Sequence, residues 1–285
     1  MSASNVEGMR RHSARAGYYV SVHVMVSPQR WCIKRLCARA RDGIIRVDTG
    51  MEVASVKQYS CFDILGPIMI GPSSSHTAGA AKIGLLARRI YHRSISKVSI
   101  ILYNSFADTG PGHGTMHALA GGLLGLAMDD EKIPLSLEIA KNLGVEFVFH
   151  FREDPEKHPN YVTLEFWEEN EISQTISGIS IGGGHARIIE IDGNKVEFSG
   201  RHDMLIMTYK DICGMVALVG ELLARHQINI AYMQISRDAN QEKALAVLKL
   251  DASVPDNVIE TLRKNEAVFS VVAIPRWKET LDESS

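Results

Sequence analysis

Ile70-Gly71-Pro72-Ser73-Ser74-Ser75-His76-Thr77-Ala78-Gly79 decides how this chain is read. Four hydroxyls and an imidazole occupy five consecutive positions, between two glycines and after a proline. An apolar segment, Ile64 to Ile70, leads in, and apolar residues at helical spacing lead out from Ala80 to Tyr91. Gly71-Pro72 marks the turn. The helix start that follows offers unpaired N–H groups and a positive dipole end, suited to a carboxylate or phosphate. His76 exchanges protons near neutral pH. A Ser/Thr-rich turn that merely caps a helix is the bland alternative. The density of chemical groups favours a binding loop.

With 285 residues the chain accommodates two modest domains, each with its own core. A net charge of −2 argues against nucleic acid as the main partner, because phosphate binding needs a concentrated basic surface. No stretch approaches the roughly 18 consecutive apolar residues of a membrane span. Cys32, Cys37, Cys61 and Cys213 form neither a Cys-x-x-Cys pair nor a cluster-binding quartet. We therefore expect no metal site in this chain, no disulfide scaffold and a reducing, cytoplasmic setting.

The first fifty residues, within an extension expected over 1–52, differ from the rest. Arg10, Arg11, Arg15, Arg30, Lys34, Arg35, Arg39, Arg41 and Arg46 face only Glu7, Asp42 and Asp48. Tyr18 to Val26 alternates like a strand but is too short and polar for a signal peptide's apolar region. A disordered extension, an upstream reading ahead of a start at Met51 and a transit peptide all remain open. The segment is set aside from the fold argument.

From Tyr59 the pattern is mixed α and β. Ile83, Leu86, Ala87 and Ile90 mark one helix face, with Lys82, Arg88 and Arg89 expected outward. Val98 to Tyr103 reads as a strand, Thr109 to Gly114 as a glycine-rich loop, and His117 to Met128 as a small-residue helix. Gly121-Gly122 there would admit a neighbouring backbone. Pro134 to Asn142 is expected as a short helix, Val145 to Phe151 and Val162 to Trp167 as strands. Ser177 to Gly184 is expected to break the pattern, before a hairpin around Asp192-Gly193. A boundary falls near Gly200-Arg201-His202. Beyond it lie strand (Met204–Tyr209), helix (Gly214–Gln227, with Val216, Val219, Leu222 and Leu223 on one face), strands (Ile228–Ser236, Ala244–Leu250), helix (Asp256–Lys264) and strand (Val268–Pro275). That βαββαβ order is the ferredoxin-like arrangement.

The serine loop, Gly112-His113-Gly114-Thr115, Gly178-Ile179-Ser180-Ile181-Gly182-Gly183-Gly184 and the closing βαββαβ unit occur in one order. Together they resemble the beta chain of the two-subunit, iron–sulfur-dependent L-serine dehydratases, over about Val56 to Trp277. The resemblance implies an α+β chain: a mixed α/β dehydratase beta domain over 53–199, similar to the allosteric substrate-binding domain of some phosphoglycerate dehydrogenases, then a ferredoxin-like ACT domain over 201–278. It implies deamination of L-serine to pyruvate and ammonia, with a 4Fe–4S cluster held by a separate alpha chain. Carried over to this sequence, Ser73, Ser74, Ser75 and Thr77 bind the substrate carboxylate and amino group, helped by His113 and Thr115, and His76 is the general base. The family usually has lysine where Pro111 stands, an acid where Met116 stands and lysine where His185 stands. Charge-based roles for those places are not carried over, and Asp108 is the nearest substitute acid.

In the ACT-like part, Asp211, Gly214 and Asn229 match positions that contact a small effector, and Cys213 stands where many members have proline. ACT domains also self-associate, so a second copy is an expected partner beside the alpha chain and L-serine. Asp211 as a simple helix cap is the bland alternative, and Met204, Met207, Met215 and Met233 read as core fill. A non-catalytic serine sensor is the competing function.

Overall fold

The computed structural model describes residues 68–237 and 242–277, together with the backbone of 18–27, 30–41 and 44–47. The chain divides into two compact units, Met1–Gly66 and Pro67–Ser285. In the first, β1 (Tyr18–Ser27), β2 (Arg30–Arg41) and β3 (Ile44–Val47) form an antiparallel sheet in that order. Alternation had pointed to a strand only over Tyr18 to Val26. Residues 64–67 of the apolar segment that leads into the serine loop lie outside the described residues.

The second unit is mixed α and β with two sheets. Its first part runs α1 (Gly79–Tyr91), β4 (Lys97–Tyr103), α2 (Ser105–Thr109), α3 (Thr115–Leu124), α4 (Ser136–Asn142), β5 (Glu146–Arg152), β6 (Tyr161–Glu168), β7 (Glu171–Gly182), β8 (His185–Ile191) and β9 (Asn194–Phe198). The sheet order is β5-β4-β6-β7-β8-β9. Only β4 and β5 pair in parallel, across the crossover that carries α2, α3 and α4. Period-2 alternation sends Val98, Ile100 and Leu102 of β4, and Val162, Leu164 and Phe166 of β6, to the same buried face.

α1 lies on that face and is covered nearly all round. It packs on α3, β7 and β8, and also touches the last strand of the chain. Lys82, expected outward, is therefore buried at 7% exposure with its ammonium 5.9 Å from the Trp277 ring. A one-sided stripe is the pattern of a surface helix, whereas α1 is a core helix. Where it crosses α3 the backbones meet. A Cβ on Gly122 would stand 2.1 Å from the Ala81 carbonyl oxygen, and one on Gly84 would stand 2.5 Å from that of Leu119.

β7 runs unbroken to Gly182, although a break was expected from Ser177. At Gly178 α1 comes close: a Cβ there would be 2.9 Å from Ile83 Cγ2. Glycine in this strand marks an approach, not a stop.

The remainder runs β10 (Asp203–Lys210), α5 (Met215–Arg225), β11 (Ile230–Arg237), β12 (Lys243–Leu250), α6 (Asp256–Arg263) and β13 (Val268–Ile274). The order is β11-β12-β10-β13 with every neighbour antiparallel. One face of this sheet, including Leu205, Met207, Leu248 and Val271, packs with Val219 and Leu223 of α5 and Val258 and Leu262 of α6. The other, with Met204, Ile206, Leu245, Val247 and Ile274, joins the core around α1. Beyond β13, Trp277 donates its N–H to the Gly200 carbonyl (2.7 Å), and Arg89 lies over its ring at 4.7 Å. Val216, expected on the buried face of α5, is 49% exposed. The helix begins at Met215, and the 215, 219, 223 row turns Val216 outward. No helix among the described residues is long and apolar enough to cross a membrane.

The α1–α3 crossing makes a direct test. Gly122→Ala forces two helices apart, and overpacking costs about 1–3 kcal/mol. At roughly 2–4 °C per kcal/mol for a unit of this size, the melting temperature should fall by about 2–12 °C. Gly220→Ala, on α5 where an added Cβ meets nothing within 4 Å, should leave it unchanged or raise it. Thermal unfolding followed by circular dichroism compares the two.

Candidate active site

The serine loop enters α1 through a single wide turn, Ser74–Ala78. Ser73 is extended and caps that turn. Its Oγ accepts the His76 N–H at 3.1 Å, and its carbonyl accepts the N–H groups of Thr77 (2.9 Å) and Ala78 (3.2 Å). Pairing these donors inside the loop leaves Ser74, Ser75 and His76 half-buried, while Thr77 points inward. The Ser74 carbonyl accepts the Gly184 N–H at 3.1 Å, so the turn between β7 and β8 braces the loop from behind. All three of Gly182, Gly183 and Gly184 have positive φ there. Gly79 sits against Ser180 of β7, where a Cβ would be 2.0 Å from the Ser180 Oγ. Ser180 is fully buried, and its hydroxyl has no hydrogen-bond partner.

The His76 ring is held on both nitrogens. Nδ1 lies 2.9 Å from Ser75 Oγ, which is itself 3.3 Å from Ser73 Oγ, and Nε2 lies 3.0 Å from Ser105 Oγ. The ring meets Phe106 edge-on at 5.3 Å and the His113 ring at 5.2 Å. His113 is fixed in turn. Its carbonyl accepts the Thr77 hydroxyl at 2.9 Å, and its Nδ1 lies 3.0 Å from the Thr109 carbonyl, to which it donates. Half-buried Ser73, Ser75 and His76 are thus linked by hydrogen bonds, and buried Thr77 is bonded to His113, whose ring adjoins that of His76, with Ser74 in the same loop.

Thr115 stands apart from it, fully buried at the start of α3 with no partner for its hydroxyl. In the second sheet the carboxylate of Asp211 pairs with Arg237 Nε at 2.9 Å, and Asn229 Nδ2 donates to Asp251 at 2.7 Å. Register places these two at opposite ends of the sheet. Asn229 precedes Ile230, which faces Leu250 opposite Asp203, whereas Asp211 follows Lys210, which faces Lys243. Gly214 opens α5 at φ 92°.

A family model for the serine dehydratase beta chain matches residues 60–145. The probable L-serine dehydratase beta chain of Bacillus subtilis (strain 168) is 37% identical over 219 residues, covering 77% of this chain and 99% of that relative. The L-serine dehydratase beta chain of Peptoniphilus asaccharolyticus is also 37% identical, over 72% of this chain and 91% of its own length. This chain belongs to the serine dehydratase beta chain family. More distantly, D-3-phosphoglycerate dehydrogenase of Bacillus subtilis is 24% identical over 68% of this chain and 37% of that protein.

In this serine dehydratase beta chain the serine loop and the Gly112–Thr115 loop converge on one imidazole. The sequence reading missed what holds the far side of that ring, Ser105 with Phe106. A signal existed: Asn104-Ser105 is a polar pair at the carboxyl end of the strand Val98–Tyr103, where ligands gather in α/β sheets. Burial pushes the His76 imidazole below its ordinary pKa, the neighbouring His113 pushes it further, and a backbone hydrogen bond at Ser105 pulls partly back. The ring is consequently neutral at neutral pH and able to accept a proton.

The second of those causes is removable. His113→Ala should raise the pKa of His76 toward the ordinary imidazole value, because one neighbouring charge disappears while most of the burial stays. An NMR pH titration of labelled histidine checks the shift; no change or a further fall would show that His113 exerts no charge effect on the ring.

Proposed function

We propose that this chain is the beta half of an L-serine dehydratase and supplies the substrate-binding hydroxyls and the general base. The observation that carries this is His76, a neutral imidazole set among Ser73, Ser75 and Thr77 at the start of a helix. L-serine presents a carboxylate to that helix start and loop, where hydroxyls and dipole favour an anion. His76 then takes the Cα proton, and the C–H electron pair stays on carbon to form the double bond as the β-hydroxyl leaves. The resulting aminoacrylate tautomerises to an imine, which hydrolyses to pyruvate and ammonia. Bridging such a weakly acidic proton and such a poor leaving group needs both a base and an acid.

The donors described here do not fit an iron–sulfur cluster. Cys213 is the one cysteine side chain among the described residues and is exposed, and no three His, Cys, Asp or Glu residues there come together as ligands. In this reading a separate alpha chain in the cytoplasm holds the 4Fe–4S cluster, which would supply the Lewis acid for the departing hydroxyl. The competing reading, a serine sensor without turnover, has no use for an imidazole kept neutral between hydroxyls.

His76→Ala should cost on the order of 10²–10⁴-fold in turnover, the usual contribution of a positioned base, while leaving association with the alpha chain intact. Anaerobic pyruvate assays on the assembled enzyme measure it. Activity within threefold of the parent would assign His76 a structural role.

The βαββαβ unit is, in the same proposal, an ACT-type module that self-associates and takes a small amino acid near Asp211, Gly214 and Asn229. Since Asp211 and Asn229 stand at opposite ends of one sheet, a site using both needs two copies of the chain. A carboxylate bound to an ammonium group is a charge-assisted pair worth about 1.5–3 kcal/mol. Asp211→Ala should therefore weaken L-serine binding to this module by roughly 10–100-fold. Calorimetry belongs on the full chain, because excision would bare Met204, Ile206 and Val247. No saturable heat beyond that of the serine-loop site would leave the module as a dimerisation element alone.

A further inference from the structure

β4 passes into α2 through Asn104, whose backbone stands at φ 51° and ψ −123°. Residues with side chains rarely take that conformation, and where they do the surroundings hold them in it. Hydrogen bonds to the neighbouring segment hold Asn104 there. The Asn104 N–H donates to the Arg152 carbonyl at 3.0 Å. Its Nδ2 donates to the carbonyls of Asp154 (2.8 Å) and Lys157 (3.2 Å), and its Oδ1 accepts the Asp154 N–H at 2.8 Å. The elbow is thereby locked to the segment that follows β5. The next residue is Ser105, whose Oγ meets His76 Nε2. The one after, Phe106, is anchored by its N–H on the Pro159 carbonyl at 3.3 Å and closes the edge of the ring.

We propose that the Asn104-Ser105 elbow is a positioning device for the base: Ser105 accepts Nε2–H and so leaves the lone pair of His76 on Nδ1. The proposal rests on His76 being the base, and assigns which of its nitrogens works. Both nitrogens face hydroxyls, which can donate or accept, so neither bond alone decides the tautomer. Ser105 as acceptor at Nε2 and the bonds at Nδ1 act together, and both are needed for a single tautomer. With Ser73 Oγ accepting the His76 N–H, the order that lets it also donate sends its hydroxyl hydrogen to Ser75 Oγ. Ser75 in turn directs its hydrogen into Nδ1. Each oxygen then accepts one bond and donates one. The reverse order would give Ser73 two bonds to accept and none to donate within the network.

Rigidity points the same way. Substrate must displace one hydroxyl to reach the ring. Ser105 is pinned by the elbow, whereas Ser75 lies in the half-buried loop that meets the ligand. The proton therefore arrives at Nδ1, the C–H electrons remain on carbon, and the imidazolium keeps its Nε2–H on Ser105. Setting one ring nitrogen by the bond made at the other is a general property of histidine sites.

Nitrogen-15 NMR of the full chain, above the ordinary imidazole pKa, reads the tautomer directly. Nε2–H is expected for His76, with Ser105→Ala giving a mixture of tautomers and Ser105→Thr restoring one. In the enzyme assembled with its alpha chain, Ser105→Ala should lower kcat roughly tenfold, a fraction of what the base itself supplies, with KM within about twofold. Asn104→Gly, which tolerates the backbone angle but loses the carboxamide clamp, should fall between parent and Ser105→Ala. An Nδ1–H tautomer in the parent, or a tautomer unmoved by Ser105→Ala, overturns the proposal. Turnover surviving His76→Gln would instead remove the base, and the spectrum of the unaltered chain would still judge the elbow.

Discussion

The approach of α1 to α3 through Gly84 and Gly122 is the constraint on which the rest depends. Two helix backbones in contact let α1 sink onto β7 and β8 while the second sheet closes over another side. A methyl at either glycine would collide with a carbonyl oxygen, which cannot move without moving its helix. Because α1 is packed so deeply, the turn that enters it has a fixed position, and that turn is the serine loop. The catalytic imidazole of the proposed reaction is thus placed by close packing one turn ahead of a deeply buried helix.

Depth also sets the chemistry. The loop satisfies its own backbone donors through Ser73 and its carbonyls through Gly184, so a half-buried turn has little unmet hydrogen bonding. His76 bears the remaining cost, and it is chiefly burial that depresses its pKa. The sign for stability follows. The unfolded chain binds that proton more readily, so the group stabilises the fold above the ordinary imidazole pKa, and this is lost as pH falls toward the folded value. A site built to accept a proton at neutral pH is therefore one that loosens in acid. Ser180, buried behind Gly79 with an unpaired hydroxyl, adds a polar cost in the same place.

Much of this was legible in sequence because two periods carry most of the information. Val98–Tyr103 and Val162–Trp167 were readable as strands, and the βαββαβ order was readable element by element from Met204 to Pro275. The serine loop, its histidine and the second histidine at 113 came from side-chain chemistry and family resemblance. What escaped depended on partners distant in sequence. Lys82 looked like the polar side of a surface helix because nothing local says that Trp277 returns to cover it. Val216 looked buried because it shares helical spacing with Val219 and Leu223, and nothing local says that Met215, Val219 and Leu223 are the row that meets the sheet. Ser105 drew no reading at all, since its importance lies in a bond to a residue 29 positions earlier.

The two sheets also share one core, and this limits how they can communicate. On the side away from its own helices, Met204, Ile206 and Ile274 of the second sheet pack in the core around α1. Tyr232, Ile235 and Phe269 of the same sheet are exposed. Movement of β10 or β13 therefore bears on the core that holds Ile83, Leu86 and Ile90. α1 leads from there to Ser74–Ala78 without an intervening loop. If an amino acid bound at the sheet ends alters turnover, the packed route is along α1, and its effect should appear as a displacement of the serine loop against the Asn104-Ser105 elbow. The elbow is tied to the segment after β5, not to α1, so the His76–Ser105 bond spans the two bodies that such a shift would separate. That bond is where a change in the second sheet would reach the chemistry.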